Sequence, residues 1–495
     1  MDKELKDILD QISGVGSKIQ EKLTGKILSV GDGVAKVSGL SRVAYMEMVE
    51  FENGIKGVAV NLEERETGII ILGDHLKLSV GETVSSTGKL LSIGVGEALV
   101  GRIINPLGEA LDSGGKIKTG SVYPIEKIAP GVTARKPVTV SLATGIKAID
   151  AMIPIGRGQR ELIIGDRGLG KTQIALDTII NQKDQNVLCI YVAIGQKASR
   201  VATIISALQK HHSLSHTIVV CANASDPASL QYLAPYAGCA IGEYFMDLGR
   251  DVLIVYDDLS KHAWAYRDIS LILKRPSGRE AYPGDIFYLH SRLLERACRL
   301  EKGGSFTALP IIETLAGDLS AYIPTNIISI TDGQIFLEPD LFYSGMRPAI
   351  SIGASVSRVG GAAQEKSTKQ VAGKLRLDLA QYRELAAFAQ FSSDLDAASR
   401  AQVERGARMT QILKQDAFAP MSQELQVVLF WTASNGYLDD VAISDIGEFE
   451  NKFLHYIQIS GRDLLKTLKK NKKIDETIEK LLKATVVAFK KTNGS

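Results

Sequence analysis

Cysteine is scarce in this chain: Cys189, Cys221, Cys239 and Cys298 are the only four among 495 residues, they form no C-x-x-C pair, and they lie mostly in apolar runs. That pattern offers no disulfide framework and reads as buried thiols in a reducing compartment. A surplus of charge is missing too. With 58 Lys and Arg against 56 Asp and Glu the net charge is +2, which gives no global case for a nucleic-acid or membrane-surface protein. No apolar run approaches the roughly 20 residues of a membrane span, and the N-terminus has no signal-peptide core. Membrane association must then go through partners. What is present is an ordinary globular balance, 45% apolar and 23% charged. The length exceeds what one hydrophobic core serves, so two to four domains are expected.

Glycine, by contrast, is plentiful, and one glycine cluster organises the chain. An apolar strand end, Leu162-Ile163-Ile164, runs into Gly165-Asp166-Arg167-Gly168-Leu169-Gly170-Lys171-Thr172, and a helix with apolar Ile174, Ala175, Leu176, Ile179 and Ile180 follows. This is G-x-x-x-x-G-K-T in its strand-loop-helix setting. The glycines let successive backbone N–H groups turn inward around a phosphate chain at the positive end of the helix dipole. Lys171 can reach the outer phosphates, and the Thr172 hydroxyl is placed to ligate Mg2+.

Four regions are expected in chain order. Residues 1–23 show helical spacing (Leu5, Ile8, Leu9, Ile12, Ile19, Leu23) broken by Gly14 and Gly16, and read equally as a partner-docking helix or a frayed terminus. Residues 24–92 carry short β-type runs between glycine turns, the texture of a small β-barrel. Residues 93–365 alternate strands and helices, with apolar runs at Val187 to Ile194, Thr217 to Cys221, Val252 to Tyr256, Ala308 to Ile312 and Ile327 to Ile330. Such runs suit parallel strands buried on both faces, whose ligands bind at the carboxyl ends. Residues 366–495 are helical, with Leu375, Leu379, Tyr382 and Leu385 on one face and a helix after Pro420. From Arg462 onward there are ten basic and four acidic residues, read as a solvated helix face rather than a nucleic-acid contact. The fold class is thus multidomain α/β: a β-barrel, a phosphate-loop domain on a parallel sheet, and a helical bundle.

The other half of a nucleotide site should be a carboxylate ending a neighbouring apolar strand, and Val252 to Asp258 supplies Asp257 to hold magnesium through water. Asp258 reads equally as a helix N-cap or an ion-pair partner. Hydrolysis also needs a group to orient water. At the end of the Val187 to Ile194 strand stands Gln196, an amide that cannot serve as a carboxylate base at neutral pH, although it could orient water as the glutamine of small GTPases does. Arg358, in the small-residue stretch Ser355 to Gly361, can project in trans onto a neighbour's phosphates or form a structural ion pair. His212 and His216 have the i, i+4 spacing of zinc ligands but lack the glutamate after the first histidine and lie in a loop.

Taken together, Met152 to Arg167, Tyr191 to Ser199, Tyr256 to Lys261, Gly278 to Ala297, Leu309 to Glu338 and Arg383 to Phe391 make the chain recognisable: it resembles the alpha subunits of F-type ATP synthases over essentially its whole length. The resemblance implies a β-barrel crown, a RecA-like nucleotide domain and a C-terminal helical domain. It implies three such chains alternating with three catalytic beta subunits around a rotating central-stalk gamma subunit, with the peripheral-stalk delta subunit docked at the N-terminal helix. It implies a non-catalytic ATP/ADP and Mg2+ site in which Gln196 stands where beta subunits have their glutamate. Arg358 matches the finger arginine that completes the beta catalytic site, and Arg347 and Gln415 match adenine-side contacts. Pro276 to Asp285 matches a bearing loop around the stalk, and Ser393-Asp394-Leu395-Asp396 an acidic turn near the rotor. Placement follows: peripheral, on the cytoplasmic face of a bacterial inner membrane or its organelle equivalent, touching the membrane only through the proton- or sodium-translocating sector.

Four departures from the family pattern stand out. Gly168-Leu169 replaces Gln-Thr, Ala417 replaces a second adenine-side glutamine, Ser351 replaces an asparagine, and the connection from Cys298 to Ser305 is short. They lead us to expect weaker nucleotide retention than in a typical alpha subunit. Two other readings compete. A catalytic subunit of a related rotary ATPase would hydrolyse ATP alone. A RecA-type translocase on nucleic acid would need a basic, aromatic-bearing loop, whereas the stretch around Pro276 to Asp285 balances Arg279 and Tyr282 with Glu280 and Asp285.

Overall fold

The computed structural model describes residues 22–389 and 396–493. Residues 1–21 of the expected docking segment, and Ser393, Asp394 and Leu395 of the expected acidic turn, lie outside the described residues. Asp396 is described, and its carboxylate accepts from Ser399 N at 2.7 Å, capping the helix Ala397–Ile412.

Strands β1 (Thr24–Gly31), β2 (Val34–Ser38), β3 (Glu47–Phe51), β4 (Lys56–Leu62), β5 (Thr67–Ile71) and β6 (Thr83–Leu90) close into an antiparallel barrel, in the order β1-β2-β5-β4-β3-β6. Alternate residues point inward, so Ile27, Val37, Val49, Phe51, Ala59, Ile69, Ile71 and Val84 fill the interior. β3 is not legible in the sequence because its first residue is Glu47. That carboxylate is buried, and it is satisfied by Ala44 N at 2.9 Å and Gly88 N at 2.8 Å.

Beyond the barrel, β7 (Ser92–Val95) pairs with β9 (Ser121–Pro124), and β10 (Ser141–Leu142) with β11 (Ile155–Gly156). The main sheet consists of β8 (Ile103–Ile104), β12 (Leu162–Asp166), β13 (Val187–Gln196), β14 (Thr217–Asn223), β15 (Asp251–Asp257), β16 (Ser305–Thr314), β17 (Gly333–Leu337) and β18 (Val356–Ser357). Their order is β18-β17-β12-β16-β15-β13-β14-β8, parallel throughout except for β18, which runs antiparallel at the edge. Every residue of β13 is buried, as expected for a strand covered on both faces.

Two expectations need correcting. Ile327 to Ile330 is the end of the helix Tyr322–Ile330, not a strand: Ile323, Ile327 and Ile330 are buried at helical spacing, and the β-branched run imitates a strand. The strand that flanks β12 on the side away from β16 is β17, begun by Gly333. Nor is the strand ending in Asp257 a neighbour of the one leading into the glycine loop, because β16 lies between β12 and β15.

The C-terminal helices are Lys366–Ala389, Ala397–Ile412, Gln423–Ser434, Ile446–Ser460, Arg462–Asn471 and Glu476–Asn493. Leu464, Leu468, Ile478, Leu482 and Val486 turn inward at helical spacing, while Lys466, Lys469, Lys470, Lys480 and Lys483 are exposed. Lys147, which opens the helix Lys147–Met152, is 1% exposed and pairs with Glu450, tying the nucleotide domain to the helical one.

Candidate functional site

The loop after β12 is shaped by its glycines. Gly168 has φ +87° and Gly170 φ +98°, left-handed conformations that a side chain would strain. A Cβ built at either would meet nothing within 4 Å, so the loop mouth is open on the side where phosphates would lie. Gly170 hands the chain directly to the helix Lys171–Asn181, whose first N–H groups face the same way. The loop is anchored from below by Asp166, whose Oδ1 accepts from Thr314 Oγ1 at 2.6 Å and Gly317 N at 2.9 Å. Arg167 is exposed; Leu169 is buried.

Lys171 is folded back onto the loop, donating to Gly165 O at 2.6 Å and Asp166 O at 2.7 Å. Burial pushes its pKa down, opposed by the charges of Glu313, Asp258, Asp257 and Asp166. Thr172 Oγ1 donates to Asp257 Oδ2 at 2.7 Å, so the two groups meet across the intervening β16. The same carboxylate accepts from Tyr191 OH at 2.5 Å and from Gln196 Nε2 at 3.0 Å. Gln196 is the last residue of β13 and buried. Asp258 combines both roles open to it: it accepts from Lys261 N at 2.9 Å and pairs with Lys261 Nζ at 2.5 Å. Burial raises its pKa to about 6, against the pull of Lys261. A hydroxyl beside a carboxylate at an open glycine loop is a donor set that fits Mg2+.

Beside the loop, a cavity of about 250 Å³ is lined by Leu169, Gly170, Gln173, Ile174, Asp177, Phe342, Arg347, Pro348 and Gln415 to Ala417. Mostly apolar walls with a few polar groups suit a nucleobase. The Arg347 guanidinium lies 4.8 Å from the Phe342 ring centre. Gln415 is in place but committed: its amide donates to Gly145 O at 2.8 Å and Ala419 O at 2.7 Å and accepts from Lys147 N at 2.8 Å. It therefore has no free N–H to offer a ligand.

Arg358 is not brought to this site. It follows β18, and its backbone N donates to Asp332 O at 2.9 Å, which makes Asp332 its cross-strand neighbour. The side chain is exposed and forms no ion pair or hydrogen bond with the described residues. Two carboxylates stand close by, and neither is engaged with it. Asp332 is taken by Arg160, which donates from N at 2.9 Å, Nε at 3.0 Å and Nη2 at 2.8 Å. Glu161 is buried and accepts from Gln159 Nε2 at 2.7 Å; burial raises its pKa well above the ordinary range, outweighing the pull of Arg358.

Sequence reasoning missed Tyr191, Arg200, Gln173, Asp177, Arg160 and Asp332. Arg200 had a signal, since it follows Gln196 by four residues on the helix Ala198–Lys210, and its Nη2 donates to Thr172 Oγ1 at 2.7 Å. His212 precedes a single 3-10 turn, Leu214–His216, that His216 closes, and His216 Nε2 lies 3.1 Å from Ile179 O. The stretch Pro276 to Asp285 carries one such turn, Arg279–Ala281.

Open glycine loop, helix N-terminus, base-sized cavity and hydroxyl-carboxylate pair define a phosphate-loop nucleotide-binding protein on a largely parallel sheet. The model of the ATP synthase alpha/beta family nucleotide-binding domain matches residues 145–357, that of the family's β-barrel domain residues 22–88, and that of its C-terminal domain residues 364–489. An ATP synthase subunit alpha from Dehalococcoides mccartyi is 56% identical over 488 residues, covering 98% of this chain and 97% of that protein. This chain belongs to the ATP synthase subunit alpha family.

Proposed function

We propose that this chain is the non-catalytic, nucleotide-holding subunit of an F-type ATP synthase head and lends Arg358 to the catalytic site of an adjacent beta subunit. Its regions divide the work: residues 1–23 dock the peripheral-stalk delta subunit, 24–92 form the crown, 93–365 bind nucleotide and 366–495 form the helical domain whose acidic stretch 393–396 lies near the rotor. Three copies alternate with three beta subunits around gamma, coupling ATP synthesis or hydrolysis to proton or sodium movement. The assembly is peripheral on the cytoplasmic face of the membrane or its organelle equivalent. ATP or ADP sits with its phosphates on Gly165 to Thr172 and its base in the cavity beside Arg347, with Gln415 fixing the wall. Thr172 and Asp257 are the residues that would hold magnesium, which when bound would supply charge to the outer phosphates.

The observation that carries the reading is Gln196. At the strand end facing the magnesium-side carboxylate the chain has an amide that donates to Asp257, and an amide cannot take a proton from water. Arg358 complements it: an always-charged, planar group with no partner among the described residues is suited to charge that develops elsewhere. In the assembled complex, Arg358→Ala should leave ATP binding by this chain intact and lower turnover by about a thousandfold or more. Full-speed turnover by that variant, or brisk hydrolysis by the isolated chain, would overturn the reading.

A further inference from the structure

We propose that Arg200 is a phosphate ligand of the nucleotide site, supplying cationic charge where magnesium would act, so that this chain binds a free nucleoside triphosphate nearly as well as its magnesium complex. The inference rests on the phosphate-loop reading above. Arg200 stands on the first turn of the helix that follows β13, is exposed, and reaches back so that Nη2 donates to Thr172 Oγ1 at 2.7 Å. It forms no ion pair with the described residues. A guanidinium at the surface ordinarily seeks a carboxylate; this one rests on the hydroxyl that a phosphate-loop protein uses for its metal.

The hydrogen-bond inventory at that hydroxyl is specific. Its single proton goes to Asp257 Oδ2, and one of its two lone pairs accepts from Arg200. A cation entering here must share the oxygen with an existing positive charge. Asp257, meanwhile, is satisfied by three neutral donors, Thr172, Tyr191 and Gln196, so its carboxylate does not need a metal to be stable. Arg200 has further N–H groups free, in the planar fork that matches phosphate oxygens, and Lys171 stands on the residue next to Thr172. Without a metal, two fixed cations are thus left to serve the outer phosphates, whereas a bound metal would take over the charge that Arg200 supplies at the hydroxyl.

The test uses the full-length chain and equilibrium dialysis against ATP, once in excess Mg2+ and once in EDTA. The wild type should lose less than about tenfold in affinity between the two media. Arg200→Ala should lose about tenfold or more in EDTA, the worth of a charge-assisted hydrogen bond, and change by less than about threefold in Mg2+, where retained affinity also reports an intact fold. Arg200→Lys should keep part of the metal-free affinity. Equal losses in both media, or none in EDTA, would overturn the role of Arg200 while binding that Lys171→Ala abolishes leaves the phosphate-loop reading in place. A wild type that binds ATP in neither medium would overturn both.

Discussion

The phosphate loop and the sheet edge at β18 treat charge in opposite ways. Around the loop the buried and half-buried ionic groups are engaged: Lys171 with loop carbonyls, Asp166 with Thr314 and Gly317, Asp257 with three donors, Asp258 with Lys261. At the edge, Arg160 and Asp332 satisfy each other, Glu161 is sealed under the sheet, and Arg358 is left over. A site that holds a ligand can satisfy its groups internally and exchange those bonds when the ligand arrives. If Arg358 serves a neighbouring molecule, as proposed, it must be kept from local partners, and the commitment of Arg160, Asp332 and Glu161 does that.

The committed side can be broken hardest at Lys147. Its side chain is 1% exposed and that of Glu450 12%, so Glu450→Ala would leave a buried, unpaired ammonium. Breaking such a pair costs about 3–5 kcal/mol. Urea unfolding followed through the buried Trp431 should show the helical domain's transition moved to lower denaturant by that amount. An unmoved midpoint would mean that Lys147 finds water or sheds its proton at little cost.

The uncommitted side can be broken by giving Arg358 a partner. Directly opposed residues on antiparallel strands have Cβ atoms about 5 Å apart, so Asp332 lies within reach of Arg358 as soon as Arg160 lets it go. Arg160→Ala should therefore lower turnover of the assembled complex by about tenfold, the worth of one charged hydrogen bond to be undone. Adding Asp332→Asn should restore most of it, because the captor is gone. If the double variant stays as slow as the single one, the loss comes from a disturbed sheet edge and not from capture of Arg358.

This contrast was only half legible in the sequence. The loop was readable because its signal is local: glycine spacing, lysine and threonine are contiguous, and the apolar runs of β12, β13 and β15 announce buried strands on their own. Pairings that span the chain were not. Nothing in the sequence joins Arg160 to Asp332 or Lys147 to Glu450, and an intervening strand could not be seen between β12 and β15. The end of helix Tyr322–Ile330 imitates a strand because isoleucine is common in buried strands and a nine-residue helix shows only about two and a half turns of period. Gln415 was expected as a nucleotide contact, whereas its three backbone partners are a property of the fold alone.

The smallest effect sharpens the committed side at the cavity wall. Asp177 accepts from Gln173 Nε2 and from Phe418 N, both at 2.9 Å, and burial raises its pKa to about 6 against those bonds. A raised folded-state value means that the native protein holds a proton which the unfolded chain releases from about pH 4 upward. Its contribution to stability is thus full below pH 4 and lost as the pH rises through about 6, above which the carboxylate is buried at a cost. Asp177→Asn keeps an oxygen for Phe418 N and removes the charge. It should be more stable than the wild type by roughly 1 kcal/mol at pH 7.5, with the gap closing toward pH 4. Paired melting curves across that range isolate this residue, since every other titrating group is common to both proteins. A gap that stays constant with pH would mean that Asp177 keeps an ordinary carboxylate pKa, and that the wall beside the base is wetter than its burial implies.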